Sequence, residues 1–106
     1  MVLCTVSSEE EGRAIAATLV ERRHAACVNL IPSIRSVFRW EGKVCDETEQ
    51  LLIIKTTQSS LADAKRTIQE THSYELPEIL ALAVSDGDRR YLEWVTAAVL
   101  QEPGRR

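Results

Sequence analysis

The sequence is short of the features that most often reveal a function. Only five of its 106 residues are aromatic. It contains no run of about 18 apolar residues, the length that a membrane-spanning helix needs. Thirteen lysines and arginines against sixteen aspartates and glutamates give a net charge of −3. Because the basic residues form no stripe, we expect no affinity for nucleic acid or for an anionic membrane.

The motifs of nucleophilic and metal-dependent catalysis are also missing. The chain has no Gly-x-Ser-x-Gly elbow, no glycine-rich phosphate loop and no His-Glu-x-x-His helix. Glu75 and Glu78 are two carboxylates on one predicted loop, which is weak evidence for acid–base chemistry. We therefore expect a protein that is not an enzyme and needs no organic cofactor. A small hydrolase would rest on analogy of fold alone.

The three cysteines are widely spaced and odd in number, which does not suggest a disulfide framework. Cys4 and Cys27 lie in apolar segments, where a free cysteine behaves as a small hydrophobic residue, and Cys45 lies beside a predicted turn. The absence of Cys-x-x-Cys argues against a thioredoxin-like redox role and a dedicated copper chaperone. Reduced thiols fit a cytosol, and the apolar residues 1–6 are too short for a signal peptide, so the expected location is cytoplasmic.

What the sequence does contain is one very long β-hairpin. Trp40-Glu41-Gly42-Lys43 marks its turn, and strand-like residues occupy 26–40 and 43–57 on either side. Strands usually span about 3–10 residues, whereas arms of this length could reach about 50 Å. A compact domain of this size measures roughly 33 Å across. The arms should therefore project, and another copy of the chain is their expected cover. Pro32 requires a bend, a bulge or an edge position in the first arm.

The rest of the chain completes a two-layer pattern around the hairpin. Before the hairpin, apolar periodicity and capping residues predict a strand over residues 2–6 and a helix over 9–23. After it they predict a second helix over about 61–71, a third strand region over 79–84 and a last helix from 89 onwards. This order is the split βαβ, ferredoxin-like arrangement of the α+β class, an antiparallel sheet with helices on one face. We expect a single domain over residues 1–102 and a flexible tail over 103–106.

Side chains capable of chemistry concentrate between the second helix and the third strand region. His72-Ser73-Tyr74-Glu75-Leu76-Pro77-Glu78 brings an imidazole, a phenol and two carboxylates into seven residues. Imidazole suits copper and zinc, and carboxylates suit harder ions, but ligand spacing of the zinc-finger kind is absent. A solvated loop is the alternative. Lys55, after four apolar residues, is either a partly buried cation that needs a partner or an edge-strand charge.

Five segments together resemble the CutA divalent-cation tolerance proteins, and they occur in that family's order over nearly the whole chain. They are residues 25–32, 40–43, 52–56, 72–78 and 91–94. The resemblance implies a ferredoxin-like subunit of a tight homotrimer, whose hairpins reach across to neighbouring subunits, as in the architecture of the PII signalling proteins. It also implies a role in tolerance of copper and other divalent metals.

The resemblance further implies two sets of site residues. The family's metal-ligand positions correspond to Cys4, in the Leu-Cys-Thr of the first strand, and to His72; a second histidine of some relatives is Thr71 here. Clefts between subunits would be lined by Trp40, Lys55, Tyr74, Glu75, Glu78 and Trp94. We predict a non-catalytic homotrimer that binds copper or another divalent metal in the response to metal ions. The alternative is a PII-like signalling trimer that binds a small molecule or a protein in those clefts, and the same residues could instead simply fasten the trimer.

Overall fold

The structure of the protein is a computed structural model that describes residues 1–99. This part of the chain forms a four-stranded antiparallel sheet and three α-helices. In chain order the elements are β1 (Val2–Val6), α1 (Glu9–Glu21), β2 (Cys27–Trp40), β3 (Lys43–Lys55), α2 (Leu61–Thr71), β4 (Leu80–Ala81) and α3 (Arg89–Ala98). The strand order is β2-β3-β1-β4, and the predicted ferredoxin-like fold class is confirmed. The predicted tail, 103–106, lies outside the described residues, and the domain boundary at 102 stays a prediction.

The core lies between the sheet and helices α1 and α2. Because side chains alternate along a strand, every second residue of β1 and β3 faces the helices. The buried side chains of this layer are at most 1% exposed; they are Val2, Cys4, Val6, Ile15, Leu19, Leu52, Ile54, Ala64 and Ile68. The other face of the sheet, called the open face below, carries Leu3, Thr5, Glu49, Leu51 and Ile53 by the same alternation. The core therefore uses one face of the sheet, and the open face does not pack against helices α1 and α2.

The hairpin has the predicted length, turn and irregularity. Its strands match the predicted arms to within two residues at each end. Glu41 and Gly42 form a two-residue turn with φ of 50° and 79°, the positive values of the type I′ turn that suits the twist of a hairpin. Pro32 and Ser33 together lie opposite Gln50 alone, which is a β-bulge. The molecule measures 48 × 27 × 23 Å, and fourteen extended residues span about 46 Å, so the hairpin accounts for its length.

Helix α1 is shorter than predicted. It ends at Glu21 instead of at the predicted residue 23, because Arg23 turns the chain with a φ of 60°. The Arg23 guanidinium then donates hydrogen bonds to the carbonyl oxygens of Ala97 (2.8 Å) and Ala98 (3.0 Å). A cation at the end of a helix stabilises its exposed carbonyl groups. The early end of α1 thus fastens the end of α3. No helix of the described residues is long and apolar enough to cross a membrane.

Candidate functional site

A cleft of about 750 Å³ lies where the hairpin meets the segment between α2 and β4. The sheet side of this cleft is formed by Phe38, Trp40, Glu47 and Glu49, with Thr5 of β1 beside them. The facing segment contributes Tyr74, Glu75, Leu76 and Glu78. No lysine or arginine of the described residues lines it. We call it the carboxylate cleft; its volume is ordinary for a small-molecule site, about 300–1,000 Å³.

His72 fastens the facing segment to β1. Its Nε2 lies 2.7 Å from the carbonyl oxygen of Thr5, and the backbone N–H of Tyr74 donates to its Nδ1 at 3.0 Å. Because a backbone N–H only donates, Nδ1 must be the acceptor, and the proton sits on Nε2 and is donated to Thr5. The ring itself is fully buried. Both nitrogens of His72 are therefore engaged in holding the fold.

Glu11 of α1 holds the same segment from the other side. Its carboxylate accepts hydrogen bonds from the backbone N–H of Ser73 at 2.6 Å and from the Ser7 hydroxyl at 3.1 Å. Burial raises the pKa of Glu11, but these hydrogen bonds from Ser73 and Ser7 outweigh it and leave the pKa below its ordinary value. The 3.7 Å approach of Glu11 to His72 Nδ1 is not an ion pair, since that nitrogen already accepts a hydrogen bond.

Tyr74 reaches across the cleft to a buried carboxylate. Its hydroxyl donates to Glu49 Oε2 at 2.6 Å, and Glu49 is only 5% exposed. Burial raises the pKa of Tyr74 well above its ordinary value, helped by the hydrogen bond to Glu49 and by the negative charges of Glu49, Glu47 and Glu11. The phenol is therefore a neutral donor. Among the described residues no salt bridge neutralises Glu49.

A comparison with protein families decides what kind of chain this is. A family model described as the CutA1 divalent ion tolerance protein matches residues 1–98. The chain belongs to the CutA family.

Individual CutA proteins agree with that assignment. The divalent-cation tolerance protein CutA of Thermus thermophilus is 46% identical over 95 residues, which are 90% of this chain and 92% of the relative. A solved structure of the divalent cation tolerance protein from the same species has a TM-score of 0.90 at 45% identity and covers 92% of this chain and 95% of that one. The PII-like protein CutA from Nostoc sp. PCC 7120, solved in apo form, has a TM-score of 0.87 at 36% identity and covers 93% and 95%.

Relatives of this CutA chain differ in length. The chain spans about half to two thirds of the plant and animal relatives that it matches. Some relatives are described as chloroplastic and one solved structure as periplasmic.

The two predicted metal ligands of this CutA chain lie around one carbonyl group. Cys4 is fully buried on the helix side of β1, and its Sγ donates to the Thr5 oxygen at 3.7 Å, the same oxygen that His72 contacts. Burial raises the pKa of the Cys4 thiol to about 12, with smaller effects of the charges of Glu78, Glu11 and Glu49. Within the described residues no three His, Cys, Asp or Glu side chains are grouped to hold a metal. The described residues therefore present no ready set of three such ligands.

The predicted cleft residues separate into two groups within the chain. Four of them line the carboxylate cleft: Trp40, Tyr74, Glu75 and Glu78. Lys55 and Trp94 do not line it. The Lys55 ammonium donates to Asn29 Oδ1, and Trp94 is half exposed and packs on Tyr91 with ring centroids 5.7 Å apart. That a second subunit brings Lys55 and Trp94 to the cleft stays a prediction.

Sequence reasoning missed most residues on the sheet side of the cleft, among them Thr5, Glu47 and Glu49. A signal for them was present in the alternation of β3, because Glu47 and Glu49 share their face with the apolar Leu51 and Ile53. A carboxylate that continues an apolar face is a candidate for burial. What the pattern did not reveal is that the segment after α2 folds over this face and buries Glu49.

Proposed function

We propose that the chain is one subunit of a non-catalytic homotrimer that acts in the cytoplasm in the tolerance of divalent cations, copper among them. Self-association is supported by apolar side chains that are exposed on projecting parts of the molecule. Val37 and Val44 near the hairpin tip are 66% and 67% exposed, and Leu80 on the edge strand β4 is 56% exposed. Monomers rarely leave large contiguous apolar patches uncovered. That the oligomer contains three copies of the chain is inferred from the family resemblance.

Light scattering coupled to size exclusion tests the oligomer. We expect a mass three times the chain mass of 11.9 kDa, and we expect Leu80→Arg to shift the population towards smaller species because it places a charge on the covered edge. Glu10→Arg, on the exposed side of α1, is the matched control and should remain trimeric. A stable monomer at micromolar concentration would contradict the proposed trimer.

Copper binding at Cys4 and His72 belongs to the same proposal, because thiolate and imidazole both suit copper. In the folded subunit the thiol is protonated at neutral pH, and His72 donates its Nε2 proton to the Thr5 oxygen. Binding there requires the thiol to lose its proton and His72 to leave one hydrogen bond. We infer that such a site would take copper by breaking local contacts and would bind more tightly at higher pH.

A Cu(II) titration of the oligomer tests that site. We expect saturable binding that weakens in the double variant Cys4→Ala/His72→Ala by about tenfold or more, since even loss of a group that only orients a ligand lowers metal affinity about 10–100-fold. Cys27→Ala, which removes another thiol, should bind as the wild type does. Unchanged binding in the double variant would show that the metal does not bind at Cys4 and His72, and it would not affect the fold assignment.

A second function is supported by the carboxylate cleft itself, which has the size of a small-molecule site and contains a buried carboxylate with no salt-bridge partner among the described residues. In this alternative the trimer is a signalling protein of the PII-like kind, and a small molecule or a protein partner binds in its clefts.

A further inference from the structure

We propose that the carboxylate cleft binds an aliphatic polyamine, a linear molecule whose ammonium groups are separated by methylene carbons. The inference rests on the second function above and names the chemical class of its ligand. It requires neither copper nor the residues predicted to hold copper.

The Glu49 carboxylate has no salt-bridge partner among the described residues. This carboxylate is 95% withdrawn from solvent, and its hydrogen-bond partner in the described residues is the neutral phenol of Tyr74. A buried charge is normally paired with an opposite one, because desolvation without a partner is very unfavourable. Glu47, Glu75 and Glu78 line the same cleft and add negative charge around it. The missing partner is therefore a cation.

The hydroxyl of Thr5 is a second polar group that could contact a ligand in the cleft. Thr5 lines the cleft and is 7% exposed, and its position opposite Leu51 places its side chain on the open face. Its hydroxyl makes no hydrogen bond to any of the described residues and can accept one from a molecule in the cleft. An ammonium group carries three donors and needs acceptors only. The Glu49 carboxylate and the Thr5 hydroxyl can both accept from one.

The spacing of the carboxylates in the cleft favours a polyamine over a metal ion. A bare divalent cation needs several oxygen ligands that converge on one point, six or more for calcium. In the described residues no three acidic, histidine or cysteine side chains converge in this way. The carboxylates are instead spread along a cleft that also contains Phe38, Trp40 and Leu76. Separated charges with apolar and aromatic surface between them match ammonium groups joined by methylene carbons, which also gain from cation–π contact.

Isothermal titration of the wild-type oligomer with spermidine tests the proposal. We expect saturable binding that is weakened about tenfold or more in Glu49→Gln, because a hydrogen bond to a buried charge is lost while the acceptor for Tyr74 is kept. Glu21→Gln removes the same charge from the exposed end of α1 and should change the affinity less than about twofold. Butylamine, with one ammonium group, should bind at least about tenfold more weakly than spermidine.

A second variant keeps the test decisive if Glu49→Gln does not fold. Trp40→Ala replaces a side chain that is 41% exposed, and it should weaken spermidine binding about threefold or more through the loss of cation–π contact. Circular dichroism checks the fold of each variant. Spermidine binding that is equal in the wild type, Glu49→Gln and Trp40→Ala would be non-specific attraction and would overturn the proposal.

Other outcomes assign the cleft differently. Magnesium binding that displaces spermidine and disappears in Glu49→Gln would make the cleft a metal site and overturn the proposal. Absence of spermidine binding, together with a trimer that dissociates more readily in Glu49→Gln, would assign the missing cation to a neighbouring copy and overturn it as well. A trimer that binds copper but not spermidine would contradict the polyamine proposal and leave the proposed metal function standing. A monomer that still binds spermidine would contradict the proposed trimer and leave the polyamine proposal standing.

Discussion

Gly12→Leu is expected to lower the free energy of unfolding by about 3 kcal/mol or more, the upper range of overpacking costs. Gly12 lies in α1 where the helix crosses the sheet. A Cβ atom placed there would be 3.1 Å from Val6 Cγ2, 3.2 Å from Leu30 Cδ2 and 3.4 Å from Leu52 Cδ2. These distances are shorter than the optimal carbon–carbon separation of about 3.5–4.0 Å. The three further carbons of leucine have no room, so α1 must lift from the sheet.

The measurement is denaturant unfolding at one fixed protein concentration, because the stability of the proposed oligomer would depend on concentration. Ala17→Leu is the matched control: it adds a leucine to the exposed side of the same helix, where helix propensity changes by only a few tenths of a kcal/mol. Lifting α1 also withdraws Glu11 from Ser73, so Gly12→Leu should loosen the segment that carries Tyr74. If Gly12→Leu keeps a native-like fold and its unfolding free energy falls by less than about 1 kcal/mol, the helix can shift to admit leucine at little cost in stability.

Much of the fold could be predicted because its determinants are local in sequence. The alternation of residues along β3, the Glu41-Gly42 turn and the break at Pro32 each act within a few residues. The cap of α3 is equally local: Asp88 accepts a hydrogen bond from the backbone N–H of Arg90 at 2.8 Å. Such signals do not depend on how distant parts of the chain meet.

What could not be predicted depends on distant contacts. The sequence predicts a strand region over residues 79–84, but β4 contains only Leu80 and Ala81, because these pair with Leu3 and Val2 at the beginning of β1. Leu82 adds two hydrogen bonds to Met1: its N–H donates to the Met1 carbonyl oxygen at 2.8 Å, and its carbonyl oxygen accepts from the Met1 amino group at 3.1 Å. The strand pairing ends there, where β1 starts. The end of α1 and the burial of Glu49 likewise follow from α3 and from the segment after α2, neither of which is near in sequence.

The candidate site was predicted in part for the same reason. The motif from 72 to 78 identified Tyr74, Glu75 and Glu78, and these do line the carboxylate cleft. The motif could not reveal that His72 holds the fold through both ring nitrogens, since Thr5 lies 67 residues away. A side chain that carries chemistry in isolation can thus be occupied by structural hydrogen bonds once the chain is folded.

The unfolding free energy of the wild type is expected to fall steeply above pH 9 because of Cys4. The thiol has its pKa raised by burial from 9.0 to about 12. Below pH 9 both the folded and the unfolded chain keep the proton, so its contribution to stability is fully present. As the pH rises further the unfolded chain ionises first, and stability falls by up to about 1.4 kcal/mol per pH unit for one proton until the folded pKa is passed. Between pH 8 and 11 the loss should amount to about 2–3 kcal/mol.

Cys4→Val isolates that contribution, because valine fills a similar apolar site and has no proton to lose. The unfolding free energy of the variant should vary less with pH over the same range, whereas Cys27→Val should follow the wild type. Tyr74, whose pKa is also raised by burial, contributes equally to all three proteins above pH 10 and cancels in the comparison. Parallel profiles for wild type and Cys4→Val would mean that folding leaves the pKa of the thiol at its ordinary value of 9.0. In that case the Cys4 thiol would still be protonated at neutral pH, but copper would displace its proton more easily than the burial of the thiol predicts.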